Sequence, residues 1–202
     1  TLVQNARKLQ PELIVVDRAV PGVHQNYLTP EQQIPDTILP YPWETCMTMA
    51  GSWSYVETDK YKPSDKLVET LVDIVSKGGN LLLNIGPSPL GEFAPDAYAR
   101  LNDISRWMKI NSEAIYATRP MDHFREGDSN RFTRSKDNRV RYVFMLDTPE
   151  STVKLTSLKL KKGARITALS GKTSCSWKQT GEELTITIPE KVRTSGEYVW
   201  VL

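Results

Sequence analysis

The chain has no apolar run near the roughly 18 residues that a membrane-crossing helix needs, and it opens on no signal peptide. Cysteine is scarce: Cys46 and Cys175 lie far apart, in no metal-ligand or redox spacing. A disulfide framework and a thiolate metal site are therefore not expected, and two free thiols suit either redox compartment. The two histidines, His24 in a loop and His123 near a domain boundary, make no metal site. No metal or organic cofactor is expected. An excess of one charge is also missing, since 26 basic and 24 acidic residues leave a net charge of +2. That balance exerts little long-range pull on nucleic acid or an anionic membrane, so neither is expected as a partner. The densest basic run, KLKKGAR from Lys159 to Arg165, reads as a solvated strand face and turn.

What is present suffices for a core: 202 residues, 39 % of them hydrophobic, allow one domain or two small ones. The opening TLVQNARKLQP reads as the interior of a helix rather than a natural start, so the chain is expected to be part of a longer one. Leu2, Ala6 and Leu9 share a helical face, and Pro11 stops that helix before a buried-strand run, Leu13 to Arg18. Then comes HQNYLTPEQQIPDTILPYPWE, His24 to Glu44, which reads as a long irregular loop pinned at its far end by rigid apolar anchors. Irregular segments of this length inside a domain are usually functional or disordered. TCMTMAGSWSY, Thr45 to Tyr55, begins as a second strand and ends at Ser52 and Trp53.

Further on, Ser64 is expected to cap a helix with a stripe of Leu67, Val68, Leu71, Val72 and Val75, and Gly78 and Gly79 to end it. The strand NLLLNIG follows, then a helix from about Pro95 to Ile115. Apolar strands alternating with amphipathic helices predict a parallel sheet covered on both faces. Beyond Arg119 the pattern changes, and from Phe124 onward no helical stripe is found. RVRYVFML, TVKLTSLKL, ELTITIP and EYVWVL, separated by turn signals, predict an antiparallel sandwich. The fold class is thus α/β followed by all-β, with domains 1–120 and 121–202 and the boundary between 118 and 124.

Ligands of parallel α/β folds gather outside the carboxyl ends of the strands. Those ends present Asp17 and Arg18, Ser52 and Trp53, and Asn84 with Gly86, while the loop starting at Ala19 hangs over the same face. A guanidinium fork and a flat indole suit a neutral sugar ring. Each has a plainer reading. Asp17 and Arg18 can be a rim ion pair, Trp53 can be core, Asn84 can tie down a turn, and Glu44 can be a buried structural carboxylate.

PYPWETCMTMAGSWSY, LVDIVSKGGNLLLNIGP and WMKINSEAIYATRP together resemble the α-L-fucosidases of glycoside hydrolase family 29, over most of residues 8 to 120. The resemblance implies the second half of a (β/α)8-like barrel with a C-terminal β-sandwich. It also implies an exo-acting, retaining hydrolase of terminal α-L-fucosyl residues, in which an Asp nucleophile and a Glu acid/base stand about 5 to 5.5 Å apart. The partners implied are a fucosylated glycan or glycoconjugate and the missing N-terminal part of the barrel, which carries the nucleophile. The implied setting is secreted, periplasmic or lysosomal. Arg18 carries over as a sugar-binding residue and Trp53 as the aromatic wall beside the sugar. Where related sequences place the acid/base Glu, this chain has Gln25, an amide that exchanges no proton at neutral pH. Three readings stand: an engineered substitution, a naturally impaired enzyme, or a shifted alignment in which Glu31 is the acid/base. The rival from another class is a non-catalytic sugar-binding protein on the same scaffold.

Overall fold

The computed structural model describes residues 1–18 and 22–202, and it shows a mixed α/β chain with antiparallel sheets. Helix α1, Leu2–Leu9, starts at Thr1, whose side chain accepts from the Gln4 backbone while the Gln4 side chain bonds back in a capping box. Of the face shared by Leu2, Ala6 and Leu9, Leu2 and Leu9 are exposed in this chain, while Val3 is buried. Arg7 fixes that rotation, because its guanidinium turns inward to the carbonyls of Leu13 and His24 and to Asn26 Oδ1.

Strand β1, Trp43–Thr48, pairs in parallel with β2, Gly79–Asn84. Two further segments extend this ladder. Residues 28–32 run parallel to β1, with Leu28 N donating to Pro42 O, Glu44 N to Leu28 O, Cys46 N to Pro30 O and Gln32 N to Cys46 O. Residues 13–17 join on the far side through a parallel bridge between Val16 and Tyr27. Part of the long "loop" is therefore an extended member of the parallel set. The expected start of that loop, at Ala19, lies outside the described residues.

Register sorts the side chains of this set. Trp43, Thr45 and Met47 share a face with Gly79, Leu81 and Leu83, and Glu44, Cys46 and Thr48 share the other with Asn80, Leu82 and Asn84. Helix α2, Ser64–Ser76, and helix α3, Pro95–Asn111, take the first face, where Leu83 and Ile85 pack on Met49, Leu67 and Ala97. On the second face Leu82 is 53 % exposed. The expectation of two covered faces is corrected accordingly, because among the described residues both helices pack on the same side. Ser64 is not a cap either: Pro63 is the cap residue of α2, and the Ser64 hydroxyl donates to the Asp103 carboxylate on α3. Burying Leu67, Val68, Val72 and Ile74 contributes about 1.5–3 kcal/mol for each side chain.

The remaining strands are β3 (Thr118–Glu126), β4 (Asn130–Ser135), β5 (Arg141–Met145), β6 (Thr152–Leu155), β7 (Ile166–Ala168), β8 (Thr173–Thr180), β9 (Glu183–Thr187) and β10 (Trp200–Val201). They form two four-stranded antiparallel sheets, ordered β10-β5-β4-β3 and β6-β9-β8-β7. The first sheet is buried on both sides. Val143, Met145, Trp200 and Leu202 meet the second sheet through Leu155, Leu184 and Ile186. Tyr142, Phe144, Val199 and Val201 meet α2 and α3 through Val68, Val72 and Trp107. A six-residue helix α4, Glu190–Ser195, lies between β9 and β10, a correction to the expectation of no helix there. It is too short to carry a helical stripe, and Val192 is its one buried residue. The Lys159–Arg165 run is turn and irregular chain rather than strand.

Candidate active site

The parallel segments end on one edge, where Asp17, Arg18, Trp53 and Asn84 follow or close them. Asp17, at the end of the first segment, accepts from Thr29 N at 2.9 Å and Thr29 Oγ1 at 2.7 Å. Its carboxylate thus joins the first segment to the second. Arg18 therefore pairs not with Asp17 but with Glu31, whose carboxylate accepts from Arg18 Nη2, and Cys46 Sγ lies 3.7 Å from the same nitrogen. Glu31 and Cys46 are bridged neighbours in the ladder, so the strand pairing itself brings carboxylate and thiol beneath the guanidinium. The Glu31 hydrogen bond, then its charge, holds the Arg18 pKa above its ordinary value. Both side chains are open to solvent in this chain, at 49 % and 42 % exposure.

Gln25 stands elsewhere. Its Oε1 accepts from Gly22 N at 2.9 Å, inside its own turn. The neighbouring Asn26 Oδ1 is engaged by Arg7 Nη2 at 2.7 Å and Val15 N at 2.9 Å. Arg7 and Thr29 thus organise this side of the site, and sequence reasoning missed both. Arg7 looks like an ordinary helix-terminal cation, and Thr29 like a turn residue, until the segments are placed side by side.

Trp53 follows β1 and is 40 % exposed, so it is not core. Its carbonyl accepts from Asn84 Nδ2 at 2.8 Å, at the end of β2. Glu44 is half-buried within β1, its N–H donating to Leu28 O. His24 Nε2 lies 3.3 Å from Thr1 Oγ1, and His123 sits in β3. Among the described residues no group of His, Cys, Asp and Glu is arranged to hold a metal ion. A cavity of about 730 Å³ opens at the opposite, amino end of the parallel set, lined by Leu39, Tyr41, Leu71, Val75, Met108 and Tyr116 among others. The LPYPW stretch borders that cavity, one strand length away from the edge that carries Arg18.

A family described as Alpha-L-fucosidase matches residues 1–113. The tissue alpha-L-fucosidase of Mus musculus is 32 % identical over 98 % of this chain and 46 % of its own length. The plasma alpha-L-fucosidase of Homo sapiens is 41 % identical over 46 % of this chain and 21 % of its own. Among solved structures, the Thermotoga maritima alpha-fucosidase in complex with fucose superposes with a TM-score of 0.80 at 32 % identity, covering 98 % of this chain and 46 % of that one. The chain therefore spans about half the length of the relatives that it matches throughout. With its parallel edge, its C-terminal antiparallel sheets and these matches taken together, the chain belongs to the alpha-L-fucosidase family.

Proposed function

We propose that the full-length protein is an exo-acting, retaining α-L-fucosidase. In this reading the chain supplies the second half of a (β/α)8-like barrel, over about residues 1–120, and a C-terminal β-sandwich over 121–202. The nucleophilic Asp comes from the part of the barrel outside this chain. Terminal α-L-fucosyl residues of glycans or glycoconjugates are the substrate, in a secreted, periplasmic or lysosomal setting. The observation that carries the reading is the Arg18–Glu31 pair on the carboxyl edge of the parallel set, on the same edge as Asn84 and the exposed Trp53.

Arg18 offers a planar fork of donors to ring hydroxyls, and Trp53 offers an apolar plane to the C–H face and methyl group of the sugar. We assign the acid/base role to Glu31 rather than to Gln25. A glutamine amide exchanges no proton, and the Gln25 oxygen is already engaged by Gly22 N. In the first step Glu31 in its acid form gives its proton to the leaving oxygen, and the carboxylate so formed takes a proton from water in the second step, which restores the acid. Sugar hydroxyls that draw the Arg18 guanidinium onto themselves release the Glu31 side chain from its pair for that exchange.

In the full-length enzyme, Glu31→Gln should lower turnover of fucosides with poor leaving groups by about 10²- to 10⁴-fold. Substrates with good leaving groups should suffer less, and azide should restore rate by forming fucosyl azide. Gln25→Glu should change turnover by no more than about twofold. The reverse pattern, with rate gained at Gln25 and little lost at Glu31, would return the role to position 25.

A further inference from the structure

The turn carrying Trp53 is held from three directions by groups that touch its backbone. Asp59 reaches back to the start of the turn, where its carboxylate accepts from Gly51 N at 3.1 Å and Ser52 N at 2.8 Å while also accepting from Lys60 N at 2.8 Å. Asn84, on β2, donates to the Trp53 carbonyl at 2.8 Å. Gly86, two residues further on, lies against the end of the turn so closely that a Cβ there would stand 2.5 Å from Tyr55 N and 2.6 Å from Ser54 C. Separations that short are repulsive against backbone, which has no rotamer to yield. Gly51, Ser52, Trp53, Ser54 and Tyr55 are thus each contacted by a group from outside the turn.

Such restraint is unusual for so exposed a segment. The turn buries little apolar surface, and Trp53 itself is 40 % exposed. On a loose turn the backbone that carries the indole must be ordered when a ligand binds, whereas a fixed turn has that cost met in advance. We infer that Asp59, Asn84 and Gly86 are positioning residues that lock the 51–55 turn and so aim the Trp53 ring at the sugar. The inference rests on the reading of Trp53 as the sugar-facing wall and adds what holds that wall in place.

The electrostatics agree with the geometry. Burial disfavours the charged form of Asp59, yet the N–H groups of Ser52, Lys60 and Gly51 outweigh it and hold its pKa below the ordinary value. The same N–H groups that grip the turn thus favour the charged form of the carboxylate. Asp59→Asn keeps the shape of the side chain but replaces one acceptor with a donor that faces backbone N–H groups.

The test is steady-state kinetics on aryl α-L-fucosides with the full-length enzyme and three single variants, Trp53→Ala, Asn84→Ala and Asp59→Asn. Thermal melts run alongside to confirm folding. Asn84→Ala and Asp59→Asn should each raise KM by about fivefold or more, with kcat falling less than KM rises, the signature of weakened sugar binding. In double variants with Trp53→Ala their effects should largely vanish, because the restraint acts through a ring that is no longer there. Full additivity with Trp53→Ala, or unchanged KM in both variants, would overturn the inference. If Trp53→Ala itself leaves KM unchanged, the reading of Trp53 as a wall fails first and takes the inference with it. A rise in KM for Trp53→Ala alone leaves that reading intact and removes only the positioning role. Asp59→Asn acts on the start of the turn and Asn84→Ala on its middle, so misfolding of one leaves the other to decide.

Discussion

Gly78 and Gly79 show how much two adjacent residues of one type can differ. Gly78 has φ of +79°, the left-handed conformation that ends α2. Gly79 opens β2 and is needed for space: a Cβ would stand 2.3 Å from the Trp43 ring, which is 1 % exposed and cannot move aside. Gly79→Ala should therefore cost about 1–3 kcal/mol through overpacking, read as a lower midpoint in urea. The helix-stopping role is legible in the sequence, but the second role depends on register, which sets Trp43 opposite Gly79. The candidate site divides in the same way. Arg18 and Trp53 could be marked from strand ends, whereas the partnership of Arg18 with Glu31 and Cys46 needed three segments brought side by side.

At the scale of elements, residues 28–32 are the instructive case. With Thr29, Pro30, Glu31 and Gln32 they have no apolar alternation and read as loop, yet they run as a parallel partner of β1. Backbone hydrogen bonding, not side-chain pattern, makes the strand, and a one-dimensional pattern does not record it. The apolar run Leu13 to Arg18 joins the same set from the other side, where Val16 bridges Tyr27 in parallel. Elements are also joined by charge. Asp73 on α2 accepts from Lys77 Nζ at 2.7 Å and from Arg131 Nε of β4 at 2.7 Å, with all three side chains at least four-fifths buried. Burial disfavours the Asp73 charge, but Lys77 and Arg131 prevail and hold its pKa below 3.8.

Removing that carboxylate strands two cations. Asp73→Asn should therefore cost about 2–3 kcal/mol at pH 7, short of the full loss for a buried pair because the group keeps some solvent. The folded pKa is depressed, so the contribution is fully present above the ordinary value and fades as pH falls through the folded one. Melts of wild type and Asp73→Asn should differ at pH 7 and converge at the acid end. An equal difference at every pH would mean that the charge of Asp73 contributes nothing.

For the whole molecule, the first antiparallel sheet is the shared wall between helices and second sheet, and β10 shows why. Alternate residues face opposite cores: Trp200 and Leu202 lie in one cluster, Val199 and Val201 in the other. Val199 O accepts from Trp107 Nε1 at 2.8 Å, and Leu202 exchanges two backbone hydrogen bonds with Val143 at 3.0 Å each. Deleting residues 199–202 from the full-length protein should therefore destabilise both halves of this chain together. Calorimetry should show the loss or joint shift of their transition, and an α/β part that melts unchanged would disprove the coupling.

The sequence by itself determined that the chain would be helices alternating with apolar strands and then an antiparallel β part, because local period and turn chemistry dictate those elements. Three blocks of sequence also carried its family. Only the tertiary structure decided which of the two loop side chains stands beside Arg18, which face of the parallel set the helices cover, and that one sheet serves two cores. Those are relations between segments distant in sequence, set by backbone pairing and close packing, and neither leaves a mark in the order of residues along one segment.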